Sequence, residues 1–196
     1  ILRIIMLKVV KDKDPIWDVY NFDVLLIGTS TYNQLNGGFQ SKVKYKYPIV
    51  EEENNKTKYA DTSKIGTRLT IYGQPTISLM YVCGYPRPNT DTVNYEALER
   101  CLRTANAEFK GKKVLTTIVG ASPFDGNGNK DRCLEIIEES TSDLEIWVYD
   151  YKQKKRKDEI EEQRCYLKSL QHTNEDKYNK LKAVFDLYLK KLYLNG

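Results

Sequence analysis

The residues best suited to chemistry in this chain are glycines, asparagines and one aspartate gathered in short loops. The first loop runs Gly28-Thr29-Ser30-Thr31-Tyr32-Asn33-Gln34-Leu35-Asn36-Gly37-Gly38-Phe39, between an apolar run and a helical pattern. Paired glycines there let backbone N–H groups approach an anion, and the N-terminus of the following helix adds partial positive charge. Neither phosphate motif of fixed spacing fits, because no Gly-Lys-Ser/Thr follows and Gly37 and Gly38 are adjacent. The same residues also read as a plain strand-to-helix turn.

The second loop runs Val119-Gly120-Ala121-Ser122-Pro123-Phe124-Asp125-Gly126-Asn127-Gly128-Asn129, again between a strand and a helix pattern. Its glycines expose backbone donors, while Ser122 and Asn127 add short hydrogen-bonding side chains. Asp125 is the only carboxylate inside the glycine loops, which suits it to general-base work or to holding a ribose hydroxyl. Asp125-Gly126 also fits a simple tight turn. In a third segment, Gly84-Tyr85-Pro86-Arg87-Pro88, Tyr85 is suited to stacking on a base and Arg87 to a phosphate. Two prolines equally suit a surface loop there. The four cysteines, Cys83, Cys101, Cys133 and Cys165, form no C-x-x-C pair, and the one histidine, His172, sits in a polar turn. Zinc, dithiol redox chemistry and a Ser-His-Asp triad are therefore not expected, and no cofactor is implied.

These loops need a scaffold. Apolar runs rich in Val, Ile, Leu and Tyr occur at Leu2 to Val10, Val24 to Ile27, Arg68 to Tyr72, Ile77 to Cys83, Val114 to Val119 and Leu144 to Tyr149, as strands buried on both faces would. Tyr95, Leu98, Leu102, Ala105 and Phe109 repeat at helical spacing after Asp91, Thr92 and Asn94. Cys133 to Ile137 mark a second helix behind Asp131, and Val43 and Tyr47 a third, starting near Gly38 and stopped by Pro48. Strands alternating with helices predict an α/β fold with a mainly parallel sheet, whose ligands sit beyond the strands' carboxyl ends.

Near Lys152 the composition changes to the basic run Lys152 to Lys157, followed at once by Asp158, Glu159, Glu161 and Glu162. Two helix-like segments follow, one with Ile160, Leu167 and Leu170, the other with Tyr178, Leu181, Phe185, Tyr188 and Leu192. The expectation is a domain over residues 1–151 and a charged helical hairpin over 152–196, turning at His172 to Asn174. The apolar stripe of the second segment suits packing on the domain itself, or assembly with a partner or a second copy. That alternative makes the chain a structural or interaction module. The 31 basic and 27 acidic residues give a net charge of +4, too small to argue for nucleic acid. No stretch approaches the roughly 18 apolar residues of a membrane span. The apolar start, broken by Arg3 and Lys8, is not followed by a cleavage site of small residues, so the expected location is the cytoplasm.

In the order of these pieces the chain resembles the macro domain family. Within it, the likeness is to the divergent branch of small bacterial and phage proteins related to terminal ADP-ribose glycohydrolases and ADP-ribose-1''-phosphate phosphatases. It covers about Leu2 to Tyr151 and rests on the strand Asp23 to Gly28, Asn36-Gly37-Gly38-Phe39 leading into Ser41 to Pro48, the strand Leu79 to Val82, and the loop Gly120 to Gly128. The resemblance implies a three-layer α/β/α domain with a mixed, mainly parallel sheet. It also implies a site for ADP-ribose or a derivative, with the two glycine loops holding the diphosphate and distal ribose. Gly37, Gly38 and Gly126 would donate N–H groups to phosphate, and Asn33 or Asn36 would orient the ribose. Asp125-Gly126 falls where the branch carries its catalytic Asp-Gly. Two departures bear on activity. Gly28-Thr29-Ser30-Thr31 stands where the common hydrolases have Asn-Ala-Ala-Asn, and alignment on the helix at Phe39 puts Gly37 where the glycohydrolase type uses a lysine. The resemblance therefore implies attack by water rather than a covalent intermediate, with hydrolysis of an ADP-ribosyl or 1''-phosphate bond. A phage origin would place the protein in the host cytoplasm.

Overall fold

The computed structural model describes residues 7–87, 89–150, 164, 167, 171 and 174–194. The chain divides into two compact units, Ile1–Tyr151 and Lys152–Gly196. In the first unit the strands are β1 (Lys8–Lys11), β2 (Val24–Ser30), β3 (Arg68–Ile71), β4 (Thr76–Cys83), β5 (Lys113–Thr117) and β6 (Glu145–Asp150), and the helices are α1 (Gly38–Lys46), α2 (Ile49–Lys56), α3 (Tyr95–Glu108) and α4 (Lys130–Ser140). The sheet has the order β1-β6-β5-β2-β4-β3. Every pairing is parallel except that of β3 with β4. The sheet is thus mixed and mainly parallel.

Alternation along the strands builds two cores. Val24, Leu26, Met80, Val82, Val114, Ile146 and Val148 meet Leu98, Cys101 and Leu102 of α3 and Cys133 and Ile137 of α4. Leu25, Ile27, Ile77, Leu79 and Leu115 meet Phe39 and Val43 of α1 and Val50 of α2. Each such side chain contributes about 1.5–3 kcal/mol by leaving water, so β2, buried along its whole length, is the anchor of three layers, helices on both faces of one sheet. Asn94 caps α3, accepting from the Ala97 N–H at 2.9 Å, and Asn129 caps α4, accepting from Arg132 N–H at 2.9 Å.

Two expectations need correction, and one, the stop at Pro48, holds with an addition. Pro48 ends α1 but does not end helical structure: it lies in the helical region (φ −56°, ψ −30°) and starts α2, whose Val50 and Asn54 are buried. The polar composition of this short helix conceals it. Strands β1 and β3 are not buried on both faces, because both lie at sheet edges. The run Val114 to Val119 leaves the sheet at Thr117, and Ile118 and Val119 enter the turn.

In the second unit, Asn174 caps the helix Glu175–Leu194 by accepting from Lys177 N–H at 3.0 Å. Leu181 and Phe185 of the stripe are buried. The expected strand over residues 1–6, the basic run 152–157, Ile160, Cys165, Leu170 and the turn at His172 lie outside the described residues. Among the described residues no helix is long and apolar enough to cross a membrane, and no group of His, Cys, Asp or Glu suits a metal.

Candidate functional site

Three adjacent strands, β5, β2 and β4, end at one rim of the sheet and lead into residues 118–129, 31–37 and 84–94. All three segments singled out in the sequence are thus brought together by the topology. At the centre lies α1, whose N-cap is Gly37 and which no side chain caps. The N–H groups of Gly38, Phe39 and Gln40 in its first turn have no acceptor within the helix. This end of α1 presents donors and a positive dipole end where α3 and α4 present asparagine oxygens.

The second loop closes over the first. The Phe124 ring lies against Gly37, where an added Cβ would come within 2.1 Å of it, and against Gly38. Asp125 lies against Gly28, where an added Cβ would meet its Oδ2 at 2.6 Å and Val119 Cγ1 at 2.5 Å. Glycine at positions 28 and 37 is therefore the condition for the two loops to touch. Within the second loop, Gly120 N–H donates to Asp125 Oδ2 (3.0 Å) and Ser122 N–H to Oδ1 (2.8 Å). The Ser122 carbonyl accepts from Asp125 and Asn127 N–H, and Gly128 N–H donates to the Gly120 carbonyl. Thr92 holds the Gly126 carbonyl by its N–H (2.7 Å) and its hydroxyl (3.0 Å). Gly126 sits at φ +133°, and its own N–H has no acceptor among the described residues.

Asp125 is 3% exposed, and burial pushes its carboxyl up to about 7 against the pull of its N–H donors. Cys83, at the end of β4, and Cys133, on α4, feel its charge. Burial, with that charge in second place, pushes both thiols up to about 12. They are packed, protonated side chains rather than nucleophiles.

Asn33 and Asn36 have partners other than a ribose. Asn33, at φ +55°, donates to the Thr57 carbonyl (2.9 Å) and accepts from Lys64 Nζ (2.5 Å) and Thr57 Oγ1. Exposed Asn36 accepts from Lys44 Nζ at 3.1 Å. Thr29 lies in β2 with its hydroxyl buried and without a partner among the described residues. Ala121 and Ser122 line the turn, the Phe39 side chain points into the core, and Arg87 is exposed.

Sequence reasoning missed three residues. Tyr32 packs edge-on against both Tyr59 (5.2 Å between centroids) and Tyr85 (5.1 Å), and the outer two rings are 61% and 55% exposed. Nothing in the sequence joins Tyr59 to this rim. Gln40 is 5% exposed and donates from Nε2 to the Gly28 carbonyl at 2.6 Å. A polar residue between core positions Phe39 and Val43 was its signal.

No protein-family model and no curated protein matches the sequence. Solved structures do match in shape. The macrodomain of Thermus aquaticus DarG superposes with a TM-score of 0.56 at 16% identity, covering 74% of this chain and 99% of that one. Thermosipho africanus DarTG in complex with ADP-ribose gives 0.57 at 13% identity, over 72% of this chain and 41% of that one. A Trypanosoma brucei macrodomain in complex with ADP gives 0.55 at 12%, over 74% and 62% respectively. The chain has the macrodomain fold.

Proposed function

We propose that this macrodomain-fold chain binds ADP-ribose or a close derivative at the rim formed by β5, β2 and β4. The observation that carries the reading is the uncapped N-terminus of α1 at Gly37, faced by Phe124 of the second loop. The N–H groups of Gly38, Phe39 and Gly126 are the donors for the diphosphate, which takes the place of the missing cap. Phe124, 37% exposed, packs on the distal ribose. Tyr85, extended by Tyr32 and Tyr59, offers rings to the base, with Arg87 beside them. Two of the similar structures are complexes, one with ADP-ribose and one with ADP, which supports the ligand class.

Beyond binding, the reaction this arrangement suits is hydrolysis at the distal ribose, of an ester, a glycoside or a 1''-phosphate. Asp125 touches that region through its loop. With both oxygens occupied by N–H groups and the side chain buried, it orients the turn rather than standing open as a base.

Titration calorimetry with ADP-ribose tests the binding. Gly38→Glu, which sets a carboxylate on the anion's position, is expected to abolish it. Gly73→Glu, at the opposite end of β4, is expected to bind normally. Equal affinity in two folded variants would move the site elsewhere. Release of ADP-ribose or phosphate from mono-ADP-ribosylated and 1''-phosphate substrates separates a hydrolase from a reader.

A further inference from the structure

The two loops of the site belong to distant parts of the chain, and one side chain reaches both. Gln40 stands in the first turn of α1 with its amide in the core. Its Nε2 donates to the Gly28 carbonyl at 2.6 Å and points to the Phe124 carbonyl at 3.5 Å. Two carbonyl oxygens facing one end of the amide require that end to be the NH2 group, so the orientation follows from chemistry. Gly28 is also the glycine on which Asp125 rests, and Phe124 is the ring that rests on Gly37 and Gly38. The Phe124-Asp125 pair thus docks on three glycines, with the Gln40 amide between the strand and the turn.

The other end of the amide makes this placement unusual. Gln40 Oε1 is buried and accepts no hydrogen bond among the described residues. A glutamine whose only task is to fill the core is replaced without loss by methionine, which has nearly the same shape and no amide to satisfy. Keeping an amide here, with one end unsatisfied, makes sense where the donor end performs a task.

We propose that Gln40 is a positioning residue that sets the separation of the two loops, and with it the spacing of the N–H groups that a diphosphate meets. This rests on the functional reading above. Gln40 touches no ligand atom in this scheme. It acts through Gly28 and the Phe124 carbonyl.

The test compares Gln40→Met, Gln40→Glu and a packing control, Val43→Ala, in the same helix. Val43 is fully buried, so its truncation lowers the melting temperature without touching either loop. Two quantities are read: ADP-ribose affinity by calorimetry, and hydrogen exchange at the Gly120, Ser122 and Asn127 amides, which lie in the remote loop. Gln40→Met is expected to weaken ADP-ribose at least tenfold and to speed exchange at those amides at least tenfold. Gln40→Glu is expected to be worse, since a carboxylate then faces two carbonyl oxygens. Val43→Ala is expected to change neither quantity by more than about twofold, although it melts earlier. A folded Gln40→Met or Gln40→Glu protein that binds within twofold of the parent, or keeps the parent's exchange in residues 118–128, overturns the proposal. If the parent itself does not bind ADP-ribose, the functional reading fails. The exchange measurement still decides whether Gln40 couples the loops.

Discussion

Replacing Asp125 with asparagine pits two effects against each other, and pH decides which wins. The asparagine keeps one acceptor for the N–H groups of Gly120 and Ser122 and turns an NH2 toward the other. It therefore loses one buried hydrogen bond and opposes two donors, at a cost of about 1–3 kcal/mol. Against this, the native carboxyl is raised from 3.8 to about 7 by burial. A carboxyl whose folded value lies above its unfolded value stabilises the fold fully below the unfolded value. That stability is lost as pH rises through the window from about 4 to about 7, where the unfolded chain has released the proton and the folded one still holds it. Three pH units at about 1.4 kcal/mol each give about 4 kcal/mol in all, of which about 3 kcal/mol falls between pH 5 and pH 8. The variant has no such loss. Asp125→Asn is thus expected to be less stable than the parent at pH 5, and as stable or more stable at pH 8. Urea unfolding at a series of pH values reads the difference between the two proteins, in which every other titrating group cancels. A difference that stays constant from pH 5 to pH 9 refutes the reasoning and means that the two N–H groups hold the carboxylate ionised throughout.

Three further outcomes are expected. Gly126→Ala puts a Cβ 2.3 Å from Val93 Cγ2 at φ +133°, which costs about 1–3 kcal/mol and lowers the thermal midpoint by about 5 °C. An unchanged melt would mean that the loop is not held as described. Arg68→Met removes a guanidinium that joins Thr104, Ser78 and Glu108 with its side chain 9% exposed. The expected loss is about 2–4 kcal/mol in denaturant unfolding. Tyr85→Ala is expected to weaken ADP-ribose by about 1 kcal/mol, roughly fivefold by calorimetry, and to leave stability nearly unchanged because the ring is exposed.

The scaffold was largely legible because its signals are local. Val24 to Ile27 and Ile77 to Cys83 are apolar runs that only a buried strand explains, and Leu98, Leu102 and Ala105 repeat along one face of α3. The loops were legible from their glycines for a physical reason. Gly28 and Gly37 are where a second segment must come within contact distance of the backbone. The surroundings of the side chains in those loops were not legible. A carboxylate in a polar glycine loop reads as open to water, yet Asp125 is buried against Gly28, which lies in β2 and is distant in sequence. Asn33 was read as a ligand contact because it lies in the loop, but Thr57 and Lys64 claim its amide. Gln40 and Tyr59 were passed over because their partners, Gly28 and Phe124 for one and Tyr32 for the other, come from the tertiary fold alone.

The contact of Gln40 with the Phe124 carbonyl spans 84 residues, and the bond from the Thr116 hydroxyl to the Leu26 carbonyl spans 90. A ribosome adding about 5–20 residues per second needs roughly 4 to 17 s to travel from the first loop to the second. During that interval the nascent chain already carries Gly37 and the open end of α1 but has nothing to set against them. On the proposed reading, ligand competence arrives late in synthesis, after β5 has slotted in beside β2. On that reading, capture of stalled nascent chains on an immobilised nucleotide would rise only once β6, which lies between β1 and β5, has also cleared the exit tunnel.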